Sequence, residues 1–145
     1  QQCYAADSWA VTGEAGSCMD PFYSSGIDFI ALVNSWINDL IVRDISGENI
    51  TLRTMVYDLA HKELLHGCIN LYKNMYGVFG KTQVMLMKII WDWASYWAIP
   101  NVLFINNGYT NIDILKQYSS SDTGIGRRFS KLNERMQELF RVWSQ

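Results

Sequence analysis

The stretch Val11-Thr-Gly-Glu-Ala-Gly-Ser-Cys-Met-Asp-Pro-Phe-Tyr-Ser-Ser-Gly-Ile-Asp-Phe-Ile-Ala-Leu32 decides how this chain is read. Just before and into it, Trp9 and Val11 alternate with Ala10 and Thr12, so residues 8–12 read as a short strand entering the small-residue turn Gly13-Glu14-Ala15-Gly16-Ser17. After Asp20-Pro21 and Ser24-Ser25-Gly26, apolar residues recur at Ile27, Ile30, Ala31, Val33, Ile37, Leu40 and Ile41. That spacing predicts a helix ending near Arg43, a cation suited to a helix C-terminus. At the start of this helix the backbone N–H groups of Ser25, Gly26 and Ile27 lack helical partners, and the helix dipole favours an anion or an electron-rich ring edge there. Gly26 admits close approach to the backbone, and Pro21 removes a donor and stiffens the approach to the helix. In the turn, Glu14 can accept hydrogen bonds from a polyol for which Gly13 and Gly16 leave room.

Beyond this stretch the pattern is helical. Thr51 is placed to cap a second helix carrying Leu52, Met55, Val56, Leu59, Ala60, Leu64 and Leu65, continuing through Leu71, Tyr72, Met75 and Tyr76 to an end at Gly77 and Gly80. A third helix over residues 81–97 presents Val84, Met85, Met87, Lys88, Trp91 and Ala94, and Pro100 stands where it should break or kink. A short helix over 112–118 follows. The polar run Ser119-Ser120-Ser121-Asp122-Thr123-Gly124 reads as a linker. Residues 127–143 then read as an amphipathic helix with Phe129, Leu132, Met136, Leu139, Phe140 and Trp143 on its apolar side. The expected fold is mainly α with a short N-terminal strand, divided into 1–43 and a helical 44–145.

At 145 residues with 49% hydrophobic side chains and 18% charged, the chain has ample apolar material for one packed core. A net charge of −2 supplies no basic field for phosphates, which argues against nucleic acid as a partner. Cys3, Cys18 and Cys68 have neither C-x-x-C spacing nor matched histidines, which argues against a disulfide framework or structural zinc. His61-Lys-Glu-Leu-Leu-His66 is not H-E-x-x-H, so no metal site is expected and both histidines read as surface or capping residues. The apolar tract 84–105 is interrupted by Lys88, Asp92, Pro100 and Asn101, and reads as a buried or interfacial helix rather than a membrane span. No signal peptide is visible after Gln1, a cytoplasmic location is expected, and the chain reads as beginning partway through a longer product.

Gly13-Glu14-Ala15-Gly16 followed by Asp20-Pro21-Phe22-Tyr23-Ser24-Ser25-Gly26 resembles the second FAD-binding motif of flavin-dependent halogenases and related monooxygenases. The resemblance implies the C-terminal fragment of an α/β FAD-binding domain of the glutathione-reductase-like fold, followed by a helical cap. It implies FAD as cofactor, with Gly13, Glu14, Pro21, Ser25, Gly26 and Ile27 around it. Glu14 would hold the ribityl chain, and Gly26 and Ile27 would face the pyrimidine edge of the isoalloxazine. In a halogenase, Ser25 and Gly26 would also bind halide. The family usually has Asp where Glu14 stands, which adds a methylene here, and Tyr23 stands where tryptophan-type halogenases place Glu.

The family's G-x-G-x-x-G phosphate loop has no counterpart: Gly124-Ile125-Gly126-Arg127-Arg128-Phe129 lacks the third glycine and a preceding strand, and reads as a helix start. No lysine can take the role of the halogenase lysine, so no catalytic residue is assigned. Ser95-Tyr96-Trp97-Ala98-Ile99-Pro100 approaches the family's Trp-x-Trp-x-Ile-Pro signature but lies after the Gly-Glu turn instead of before it, and is read as an aromatic helix end. Cys18 reads as a small packed residue, and Trp91, Trp93 and Trp97 as core or interface packing. The implied partners are a nucleotide-binding half and a small-molecule or carrier-tethered substrate. A competing expectation is a non-catalytic helical module that binds a protein partner or a membrane surface through residues 84–105, because its large apolar side chains exceed what a small domain readily buries.

Overall fold

The computed structural model describes residues 4–5, 9–119 and 124–145. It is mainly α. Strands β1 (Tyr4–Ala5) and β2 (Trp9–Ala10) form an antiparallel pair with Tyr4 opposite Ala10. Two 3-10 turns, Gly13–Ala15 and Pro21–Tyr23, lead into helix α1 (Ser25–Ile45). Then come α2 (Thr51–Tyr72), α3 (Thr82–Tyr96), a π-helical turn (Trp97–Asn101), α4 (Val102–Ile105), α5 (Ile112–Ser119) and α6 (Ile125–Trp143). Ser8, Cys3 and residues 120–123 of the expected linker lie outside the described residues.

Helices α1 and α2 form a helical hairpin, the connection turning at Gly47 with φ +78. The larger core joins Leu32, Val33, Trp36 and Leu40 of α1 to Ile50, Val56, Tyr57 and Ala60, with Tyr109 and Leu115 closing it. This core spans the expected boundary at residue 43. Trp36, 0% exposed, stacks on Tyr57 at 5.5 Å and donates from Nε1 to the Tyr109 carbonyl at 2.6 Å. Beside this core, Tyr57 Oη (2.6 Å) and Arg53 Nη1 (3.1 Å) both donate to Asp39 Oδ2. A smaller core gathers Met75, Val78, Val84 and Phe140, with Phe79, Trp91 and Met136 against it.

Several expectations change. Thr51 is the first residue of α2 and not its cap; its N–H donates to Asn49 Oδ1 at 3.0 Å, so the asparagine does the capping. Helix α2 ends at Tyr72, before Gly77, because Lys73 leaves the helical conformation (ψ 115) and Asn74 turns left-handed (φ 61), the Met75 N–H closing the turn on the Tyr72 carbonyl at 3.0 Å. Of the break or kink expected at Pro100, a full break does not occur: α3 ends at Tyr96, a π turn absorbs the missing N–H, and the helical path continues to Ile105. His61 is buried, with its ring 5.5 Å from Phe29, whereas His66 is exposed. On α1 the inward face is Phe29, Leu32, Val33, Trp36 and Leu40, leaving Ile27, Ile30, Ala31 and Ile41 of the expected apolar set exposed.

Helix α6 departs most. Its buried face is Gly126, Asn133, Gln137 and Phe140, while Leu132, Leu139 and Trp143 stay exposed. Gly126 is fixed by packing: a Cβ there would lie 2.7 Å from the Tyr118 carbonyl and 2.8 Å from its ring.

Candidate functional site

The strand expected over residues 8–12 is paired at Trp9–Ala10, and a 3-10 turn at Gly13–Ala15 follows it. Gly13 adopts φ +66, which an L side chain rarely tolerates, and its carbonyl accepts from Gly16 N (3.0 Å) and Ser17 N (3.1 Å) to close the turn. Glu14 is exposed. The turn sits on the exposed face of α1, where Thr12 Oγ1 donates to Asn34 Oδ1 at 3.1 Å. Asn34 is eight residues beyond Gly26, or about 12 Å along the helix axis.

At the helix start, Asp20 caps the Pro21–Tyr23 turn by accepting from Phe22 N at 3.0 Å, and it also accepts from Tyr76 Oη. Ser24 adopts a left-handed conformation, and its carbonyl takes the Ile27 N–H at 3.0 Å. Of the three donors expected to point outward, Ile27 is therefore engaged. Ser25 and Gly26 N–H have no backbone acceptor among the described residues. Space over Gly26 is open, since a Cβ there would meet nothing within 4 Å; the same holds at Gly13. Asp28, in the same turn, draws on the helix dipole; burial raises its carboxyl above its usual value, and Tyr96 Oη lies 3.4 Å away.

Beneath this segment lies a polar cluster that pattern reading missed. Lys88 of α3 is 0% exposed and donates to Asp92 Oδ2 at 2.5 Å and to Gln137 Oε1 at 2.9 Å. Gln137 Nε2 donates to Asp92 Oδ1 at 2.8 Å and to Asn133 Oδ1 at 3.1 Å, and Trp91 Nε1 reaches Asn133 Oδ1 at 2.9 Å. Tyr23 Oη completes it by donating to Asp92 Oδ2 at 2.9 Å. Burial lowers the Lys88 ammonium against the opposing pull of Asp92, and burial together with Asp92 raises the Tyr23 phenol. The cluster ties the segment before Gly26 to α3 and α6. Ser25 Oγ adds a second tie, 3.1 Å from Tyr72 Oη.

Its signal in the sequence was spacing. Lys88 and Asp92 are the only charged residues between 82 and 105 and stand four apart, as do Asn133 and Gln137. With those charges inward, α3 and the π turn that continues it leave Leu86, Ile90, Trp93 and Trp97 outward, Trp93 at 60% and Trp97 at 55% exposed. Trp91 is half-buried.

A shallow cleft of about 320 Å³ lies beside the turn, lined by Cys18, Met19, Asp20, Ile69, Tyr72 and Lys73. Cys18 is exposed, and burial pushes the Cys68 thiol up to about 12. Among the described residues no group of three or more His, Cys, Asp or Glu could hold a metal ion. No family model, curated protein or solved structure matches the chain.

Proposed function

We propose that the chain is the C-terminal portion of an FAD-dependent oxidoreductase of the monooxygenase or halogenase type, the strand and helix of a glutathione-reductase-like domain followed by a helical cap. The observation that carries this reading is the Gly13 turn docked on α1 through Thr12 and Asn34, with open space at both Gly13 and Gly26. The residues fit the cofactor: Glu14 is exposed beside a glycine turn, and Ser25 and Gly26 offer backbone donors at a helix start. Gly13 and Glu14 would hold the ribityl hydroxyls, and Ser25 and Gly26 the pyrimidine edge or, in a halogenase, halide. Pro21 stiffens the turn before them, and Ile27 contributes its side chain alone. Bound and reduced, FAD supplies the reaction with oxygen that oxygenates or halogenates a substrate.

The exposed stripe Ile27, Ile30, Ala31, Ile41 and Ile45 on α1 supports the same reading. It is the face on which the acidic turn sits, and a nucleotide-binding half would cover it. Co-expression with a G-x-G-x-x-G half tests this: the pair binds FAD in a fluorescence titration, and failure of every such pairing removes the reading.

A second reading is favoured by α3. Leu86, Ile90, Trp93 and Trp97 recur at i, i+4, i+7 and i+11 on the side opposite the buried Lys88–Asp92 pair, the seam of a non-catalytic module docking on a partner helix or a membrane surface. Trp93→Ala with Trp97→Ala would abolish partner capture in that case, and no pairing with a nucleotide-binding half would yield a flavin-bound protein.

A further inference from the structure

Helix α6 carries charge and apolarity in an arrangement that the flavin reading does not use. Residues 125–143 hold five cations and two anions, a net +3 in a chain of net −2. Arg141 pairs with Glu138, but Arg128 and Arg135 are exposed and make no ion pair among the described residues. Because Asn133 and Gln137 turn inward to Lys88 and Asp92, the neighbouring face is left outward, with Ile125 65%, Leu132 47%, Leu139 53% and Trp143 52% exposed.

At 100° per residue, Ile125, Leu132, Leu139 and Trp143 fall within a 40° sector, and Arg128 and Arg135 flank it on one side. The row runs the length of the helix, about 27 Å at 1.5 Å per residue. A straight apolar row ending in Trp and edged by guanidinium groups matches a planar interface with apolar depth and anionic headgroups. A folded acidic partner offers the charge but not the continuous depth.

We infer that α6 docks this protein on an anionic lipid surface, its apolar row in the headgroup boundary and Arg128 and Arg135 on the lipid phosphates. The inference stands independently of the flavin reading.

Flotation of the full chain with phosphatidylcholine vesicles and with vesicles containing phosphatidylglycerol tests it, because aggregated protein does not float. The chain floats with the anionic vesicles, floats far less with the neutral ones, and is released as salt rises to 0.5 M. Arg128→Gln with Arg135→Gln weakens partitioning about thirtyfold, at roughly 1 kcal/mol per cation near the surface, while Arg128→Lys with Arg135→Lys retains it. Leu132→Ser with Leu139→Ser weakens it at least about tenfold. No flotation, equal flotation on both vesicles, or indifference to the arginine substitutions overturns the inference. So does loss on Trp93→Ala with Trp97→Ala alone, which moves the contact to α3. Capture on immobilised polyglutamate without flotation also overturns it and assigns the face to an acidic protein.

Discussion

Lys88 Nζ lies 2.5 Å from Asp92 Oδ2, one turn apart on α3, and both side chains are sealed from solvent. A buried pair of this kind contributes less as a pair than it costs when halved, since removing one partner strands a charge without water. Lys88→Met is therefore expected to lower unfolding stability by about 3–5 kcal/mol. Lys88→Met combined with Asp92→Leu should cost clearly less than the single change. Urea unfolding of the three proteins measures both.

Tyr23 links that pair to the helix start, two residues before Ser25. Tyr23→Phe removes one of three donors to Asp92 and leaves Lys88 and Gln137 in place. A loss of roughly 1.5–3 kcal/mol is expected, the range for a hydrogen bond to a charged group. Urea midpoints report it, and in the Asp92→Asn background the same change should cost less.

Gly126 and Gly77 predict opposite outcomes. Gly126→Ala drives a Cβ to 2.7 Å from a backbone oxygen, so a cost of about 1–3 kcal/mol is expected. Gly77→Ala meets nothing within 4 Å, and its smaller unfolded-state entropy is expected to make it neutral or stabilising by up to about 1 kcal/mol. Thermal melts of the two variants separate the cases.

His61, packed between Phe29 and Trp36, has its pKa lowered by burial, with Asp58 opposing and Lys62 adding to the shift. The unfolded chain then binds a proton first, near its ordinary pKa of about 6.5. Stability is full above that pH and falls as pH drops toward the folded pKa. Unfolding midpoints should decline from pH 7.5 to 5.5, and the decline should flatten in His61→Asn but persist in His66→Gln.

The Gly13 turn and the bounds of α1, α5 and α6 were legible because each has a local cause, glycine or a helical period, whereas the strand expected over 8–12 is paired only at Trp9–Ala10 and neither its partner β1 nor the Asp20 cap on the Pro21 turn was read from the pattern. Which face turns inward was not legible. On α1, apolar residues occupy both sides, so periodicity marks a helix without saying whether Ile27 or Phe29 is buried. On α6 the buried positions are polar, and only their partners on α3, more than 40 residues away in sequence, make burial of Asn133 and Gln137 tolerable. Pro100 marked an interruption near the end of α3, but that a π turn carries the helical path past it is specified by no local rule. The candidate flavin residues rest on the motif alone, and of the three donors expected at the helix start the Ile27 N–H is taken by Ser24 through a left-handed turn.

Flavin retention by Gly26→Ala is the sharpest test of the proposal, since a Cβ at this position meets nothing within 4 Å in the protein and only a ligand lying on the backbone would be displaced. Wild type and variant are purified together with a nucleotide-binding half, and absorbance is read at roughly 370 and 450 nm, the bands of the cofactor. A yellow wild type and a colourless variant with unchanged helical circular dichroism are expected. A colourless wild type, or a variant as yellow as the wild type, would contradict the proposal.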